Sequence, residues 1–323
     1  MEPPPDEGSD TTGMISRGPR SANSQSPEQV DISAALPTII GSAGSPHPST
    51  VGNESVEATV KIIRFEDPQG RVQLGEQIDD RTARLIEGDL FGQFKVTAKT
   101  AAVHRLLIPV QPVNFIAIGL NYRKHAEEGG MAIPPVPLVF AKLTTCAIGP
   151  GEPIVLPADA PDEVDYEAEL AVVIGRTARK VAQADALKYV LGYCCANDVS
   201  ARDCQIRRDK QWARAKSFDT FGPLGPCLVV DPKLDPNTLP IRAILNGQVL
   251  QDSNTSDMIF SVPYLVSYLS QHFTLPPGTV IATGTPGGVG FTRKPPVYLR
   301  AGDEITIEID GIGRLTNPVR ADV

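Results

Sequence analysis

The chain lacks the features that mark several large protein classes. Its 323 residues contain no apolar run near the ~18 residues of a membrane span, so no transmembrane segment is expected. Positive charge is in deficit: 30 Lys and Arg stand against 38 Asp and Glu, a net charge of −8. With no basic run either, binding to nucleic acid or to an anionic membrane is not expected. The five cysteines, Cys146, Cys194, Cys195, Cys204 and Cys227, form no C-x-x-C pair. Zinc spacing is therefore missing, and so is a thiol nucleophile with a placed histidine partner. An odd number of such thiols fits a reducing compartment, and the cytoplasm is the expected location. Ser200 has no G-x-S-x-G setting, and no internal repeat is found.

The remaining composition, 41% hydrophobic and 21% charged, is that of a soluble globular protein with length for a real core. Residues 1–55 are rich in Pro, Ser, Gly and acid and show little apolar periodicity, so a disordered tail is expected. The acidic start has no apolar signal core, and no secretory peptide is expected. From Met14, the segment Ile15-Ser16-Arg17-Gly18-Pro19-Arg20-Ser21 faintly resembles an organellar transit peptide, which makes the mitochondrion the second location.

Residues 56–108 read as a small N-terminal subdomain, with a strand at Val60–Phe65 and a turn at Asp67-Pro68-Gln69-Gly70. Residues 109–323 read as one larger domain. Strands are expected at 114–120, 138–142, 165–175, 191–196, 228–230, 241–245, 280–283 and 304–309. Asn246-Gly247 predicts a tight hairpin. Helical spacing appears over 182–190 and 261–273, with a short polar helix or turn over 121–130. Strands dominate and nothing alternates as βαβ, so the fold class is mixed α+β, β-rich, with few helices.

The acidic strand Asp165-Tyr166-Glu167-Ala168-Glu169 organises the rest. Alternation places Asp165, Glu167 and Glu169 on one face and Leu170, Val172 and Ile174 on the other. Carboxylates so placed repel unless a hard cation lies between them, and oxygen ligands suit Mg²⁺, Mn²⁺ or Ca²⁺. The competing reading is a solvated acidic edge. Asp198 could complete a three-carboxylate set, or could simply cap a helix starting at Val199. Arg202 and Gln205, one turn apart, could address a substrate carboxylate or keto oxygen, or form part of a surface arginine group. His125 and Glu128 share a helical face and could act as a proton-moving pair, or be exposed polar residues. Lys216 could stabilise an enolate or be a solvated charge. The loop 283–290 lacks a G-K-[ST] ending, so it brings backbone and the Thr285 hydroxyl near a substrate carboxylate, or is a tight turn.

Five motifs occur in one order: N-Y-x-x-H-x-x-E at 121–128, E-x-E within 165–175, N-D-V-S-A-R-D-x-Q at 197–205, A-K-S-F-D-T-F-G-P at 215–223 and T-G-T-P-x-G-V-G at 283–290. Together they resemble the fumarylacetoacetate hydrolase family over residues 110–320. Within it, the Phe218–Pro226 run and Arg293–Val297 resemble most the domain-containing protein 2 subgroup. The resemblance implies a β-sandwich roll, usually homodimeric, with Mg²⁺ (or Mn²⁺ or Ca²⁺) held by Glu167, Glu169 and Asp198. It implies His125 and Glu128 as a water-activating pair on a lid and Lys216 as the cationic electrophile. Arg202, Gln205 and Thr285 would contact a small 2-oxo acid or β-diketo acid. The reactions implied are C–C hydrolysis and oxaloacetate tautomerisation or decarboxylation, with a sugar-acid dehydratase also known in the family. The rival reading is a metal-binding relative without turnover that acts as an interaction protein.

Overall fold

A computed structural model describes residues 59–322. The expected disordered segment 1–55 and the transit-like segment within it lie outside the described residues.

Most strands join one large mixed sheet. Its order runs Phe94–Ala102, Thr82–Gly88, Val72–Gln77, Val60–Glu66, Gly222–Val230, Val190–Asn197, Ala168–Ile174, Val280–Ala282, Phe115–Gly119, Leu138–Lys142. The N-terminal strands are continuous with the rest because Val60–Ile62 pair antiparallel with Leu228–Val230. A second, five-stranded sheet runs Gln248–Asn254, Pro240–Leu245, Glu304–Ile309, Gly313–Ala321, Ile154–Leu156. The β-rich mixed class read from the sequence is the one observed.

Ala168–Ile174 is central, and all seven of its residues are buried. Sequence reading treated one face of this strand as a possible solvated edge. Neighbouring strands on both edges and cover on both faces remove that option. The expected continuous run 165–175 is also broken. Asp165 lies on a separate two-residue strand, Val164–Asp165, paired with Ser200–Ala201. Only Glu169 of the three acids is inside the long strand.

Two expected helices change character. Residues 182–190 form a 3₁₀ segment, Gln183–Tyr189, whereas 261–273 contain a true α-helix, Val262–His272. Its Val262, Leu265, Val266 and Leu269 are buried at helical spacing, and Pro263 in the first turn needs no hydrogen bond there. The helix expected from Val199 is absent at that point. Ser200–Ala201 are extended, and the helical segment following Arg202 includes a π-turn, Cys204–Arg208. Asp198 is therefore not a helix cap. At the predicted hairpin, Asn246 and Gly247 have φ of 51° and 82° and join Pro240–Leu245 to Gln248–Asn254.

Candidate active site

The sheet register assembles the acids. Ala168 pairs with Asn197 and Glu169 with Ala196, and the Asp198 N–H donates to the Glu167 carbonyl at 3.0 Å. Asp198 is thus set beside Glu167 at the ends of neighbouring antiparallel strands. Glu167, Glu169 and Asp198 are all buried, and each offers an oxygen within 4.8 Å of the others.

Two lysines and an arginine hold the cluster. Lys216 Nζ donates to Glu167 Oε2 at 2.8 Å, Asp198 Oδ2 at 2.7 Å and Ser200 Oγ at 2.7 Å, using all three of its hydrogens. Lys142 Nζ donates to Asp198 Oδ1 and to the Phe221 carbonyl. Arg202 donates to Glu167 Oε1 at 2.7 Å and Asp165 Oδ2 at 2.9 Å, and to Gln205 Oε1 at 2.8 Å, with its guanidinium 4.3 Å above the Phe291 ring. Lys216, Arg202 and His125 are 2, 2 and 6% exposed, so none is the solvated surface group that each could have been.

Charge is unevenly matched across the three acids. Burial opposes the Glu167 charge, but Lys216 and Arg202 outweigh it and hold that carboxyl below its ordinary range. Among the described residues Glu169 makes no ion pair: its Oε2 accepts the Gly284 N–H at 2.7 Å. Burial, then Asp198 and Glu167, push its carboxyl well above the ordinary range. A divalent cation would relieve this mismatch, and an all-oxygen donor set suits a hard one. The residues therefore fit the metal that the sequence resemblance implies.

His125 and Glu128 come from the short helix Arg123–Glu128. His125 Nδ1 lies 3.8 Å from Glu128 Oε2, an electrostatic contact rather than a hydrogen bond. Glu128 also accepts the Gly288 N–H at 2.8 Å and the Thr292 hydroxyl at 2.7 Å. The neighbouring imidazole first, helped by these two donors against burial, pulls its carboxyl down to about 2. Glu128 thus ties the helix to the glycine loop.

That loop binds the protein's own carboxylates. Gly284, Gly288 and Gly290 N–H groups donate to Glu169, Glu128 and Asp165 respectively. Gly290 can carry no side chain, since a Cβ there would meet the Val297 carbonyl at 1.9 Å. Thr285 is the loop side chain that faces the cavity.

Eight of the nine residues read from the sequence line one cavity of about 190 Å³: His125, Glu167, Glu169, Asp198, Arg202, Gln205, Lys216 and Thr285. Glu128 stands behind His125. The cavity lining also includes the apolar Ile118, Leu120, Phe140, Ile206 and Trp212. Sequence reading missed Lys142, Trp212, Asp165 in its Arg202-pairing role, and Gln251, which is wholly buried between Ala168 and Thr285. A lysine at the end of an apolar strand was the one available signal for Lys142.

The pattern described as Fumarylacetoacetate (FAA) hydrolase C-terminal matches residues 114–320. The chain is 50% identical over 227 residues to the fumarylacetoacetate hydrolase domain-containing protein 2 homolog of Dictyostelium discoideum, covering 67% of this chain and 74% of that one. It is 46% identical over 255 residues to oxaloacetate tautomerase FAHD2A, mitochondrial, of Homo sapiens, covering 78% and 80%. Among solved structures it resembles 2-hydroxyhepta-2,4-diene-1,7-dioate isomerase from Mycobacterium marinum, with TM-score 0.72, 40% identity and 81% and 99% coverage. Fumarylacetoacetate hydrolase from psychrophilic Exiguobacterium antarcticum gives TM-score 0.74 at 36% identity, with 81% and 100% coverage.

Proposed function

The chain belongs to the fumarylacetoacetate hydrolase family and is an enzyme of it, and from that premise we propose that it interconverts the keto and enol forms of oxaloacetate. The observation that carries this reading is the meeting of the acid cluster, Lys216, His125 and Thr285 on one small cavity. The tautomerase names of relatives such as the human one support the choice of reaction.

Glu167, Glu169 and Asp198 would hold a divalent cation, Mg²⁺ foremost and Mn²⁺ or Ca²⁺ as alternatives, which when bound polarises a chelated 2-oxo acid. The chain's own residues do the rest. His125 presents Nδ1 to Glu128, leaving Nε2 to take the proton from C3 and deliver it to the C2 oxygen, and to do the reverse. Glu128 keeps the imidazole oriented. Lys216 contributes positive charge where the C2 oxygen becomes an enolate, although its three hydrogens are already bound. Arg202 keeps one Nη1 hydrogen beyond those given to Asp165, Glu167 and Gln205. That hydrogen and the Thr285 hydroxyl would receive the substrate carboxylate.

A second reading has its own observation. The apolar lining of Ile118, Leu120, Phe140 and Trp212 suits an acyl group better than a second carboxylate. With His125 activating water instead of shuttling a proton, an acylpyruvate would be cleaved between carbons. Purified protein is assayed with Mg²⁺ and with EDTA on oxaloacetate, acetylpyruvate and fumarylacetoacetate. Metal-dependent loss of enol without pyruvate supports the tautomerase. Pyruvate from oxaloacetate would make it a decarboxylase, and acid products from acetylpyruvate a C–C hydrolase. Silence on all three would sink the reading and favour a non-catalytic relative.

The enzyme is further proposed to be a homodimer. Leu138–Lys142 is the last strand of the large sheet, and Val136, Leu138, Val139 and Leu143 there are 38–64% exposed. A second copy would cover them, and light scattering behind a sizing column tests this. Sequence reading favours the cytoplasm, while relatives named mitochondrial support the second location. Imaging of a C-terminal fusion separates the two.

A further inference from the structure

Gln251 lies in the strand Gln248–Asn254 of the five-stranded sheet, outside the cavity wall, yet its side chain is wholly buried and fully bonded. Its Oε1 accepts the Ala168 N–H at 2.8 Å. Its Nε2 donates to Thr285 Oγ at 2.8 Å and to the Pro286 carbonyl at 2.8 Å. The amide cannot be turned over: a backbone N–H demands the oxygen on one side and a backbone carbonyl demands the nitrogen on the other.

This fixed amide has a consequence for Thr285. A hydroxyl has one hydrogen to give. Because Gln251 Nε2 fills an acceptor position on Thr285 Oγ, the threonine hydrogen must point away from Gln251. Thr285 is 4% exposed and lines the cavity, so the remaining open direction is toward the substrate. The other end of Gln251 grips Ala168, the residue between Glu167 and Glu169. One side chain thus ties the carboxylate pair to the threonine.

We infer that Gln251 is a positioning residue: it aims the Thr285 hydroxyl as a donor into the cavity, so that a substrate carboxylate or 2-oxo oxygen is received there. The inference rests on the reading above that Thr285 touches the substrate. Without the Gln251 donor, the Pro286 carbonyl loses its partner. The Thr285 hydrogen, its oxygen 2.8 Å from the same nitrogen, would turn to that carbonyl and leave the cavity.

The test is a double-mutant cycle on Q251M and T285V, with T285S as the conservative control. Trp212 is the only tryptophan of the chain and lines the cavity, so its fluorescence reports binding. The probe is oxalate with Mg²⁺, which carries the paired oxygens of a 2-oxo acid and no reacting carbon. Q251M is expected to raise the oxalate Kd about ten-fold in the wild-type and T285S backgrounds, the loss of one hydrogen bond to a charged group. In T285V it should change Kd less than about two-fold, since no hydroxyl remains to aim. With oxaloacetate, KM should rise in step while kcat stays near the wild-type value. An equal rise in Kd in the T285V background would overturn the inference, because Gln251 would then act only as packing. So would an unchanged Kd in every background. Should Q251M not fold, Q251E runs the same cycle: its carboxylate would accept the Thr285 hydrogen and draw it out of the cavity, so the rise in Kd should again depend on the hydroxyl. Oxalate binding that shows the coupling without oxaloacetate turnover would retain the inference and reject the proposed reaction.

Discussion

Lys142 reaches Asp198 from the edge of the large sheet, its Nζ 2.5 Å from Oδ1, while Lys216 holds Oδ2 of the same carboxylate at 2.7 Å. Asp198 is thus gripped on both oxygens by two buried ammonium groups. Removing one partner of a buried pair leaves the other uncompensated. K142M is expected to lose ~3–5 kcal/mol of stability, read from urea unfolding. A midpoint equal to wild type would mean that Lys216 alone suffices.

Glu169 is the one acid of the three that makes no ion pair among the described residues, so a bound metal would be its main charge partner. E169Q should leave the metal-free protein at least as stable as wild type, because it removes a buried repulsion with Asp198 and Glu167. It should also abolish stabilisation by Mg²⁺, which in wild type is about 2.7 kcal/mol at a hundred-fold excess over Kd. Melting with and without Mg²⁺ reads both halves. Retained Mg²⁺ stabilisation would remove Glu169 from the ligand set.

The Glu128 latch sets a pH window. Its carboxyl is lowered from 4.5 to about 2 in the folded chain, so its contribution is complete above the unfolded value. It is lost as pH falls through the folded one. The difference in melting temperature between wild type and E128Q is therefore expected to be constant above pH 4.5 and to shrink below it. A difference that instead grew on acidification would contradict the latch.

Proton transfer by His125 predicts a steep loss of turnover. H125Q should lower kcat by ~10²–10⁴, the usual range for removing a general acid–base group. Mg²⁺ binding followed through Trp212 should persist. Turnover within a few-fold of wild type would reassign the proton-moving role.

Gly119 makes room for Trp212. A Cβ at residue 119 would stand 2.1 Å from Trp212 Cζ3, and Trp212 also packs edge-on against Phe140 at 5.6 Å. G119A should displace the indole, shift its emission and cost ~1–3 kcal/mol, as overpacking does. Unchanged emission would show that the strand, not the indole, gives way.

The site was more legible in the sequence than its supports were. The nine residues sit in compact local patterns such as N-Y-x-x-H-x-x-E, where chemistry is concentrated in a few positions. Lys142 and Gln251 have no such pattern. Lys142 meets Asp198 across 56 residues and Gln251 meets Ala168 across 83. A lone lysine ending a strand, or a lone glutamine within one, reads as a surface residue until its partner is known. Local reading also erred at Asp198 and Val199, where an acid before polar residues resembles a helix cap. Strand pairing at Val164–Asp165 took that backbone instead.

By itself the sequence determined the β-rich class, the Asn246-Gly247 hairpin and the identity of the acids, because alternation, turn chemistry and ligand type are properties of neighbouring residues. Tertiary structure alone decided that Glu167 and Glu169 are buried rather than solvated, that Lys216 and Lys142 share Asp198, and that Gln251 faces Thr285. Those outcomes depend on which strand lies beside which, a choice set by burial summed over the whole sheet rather than by any single segment.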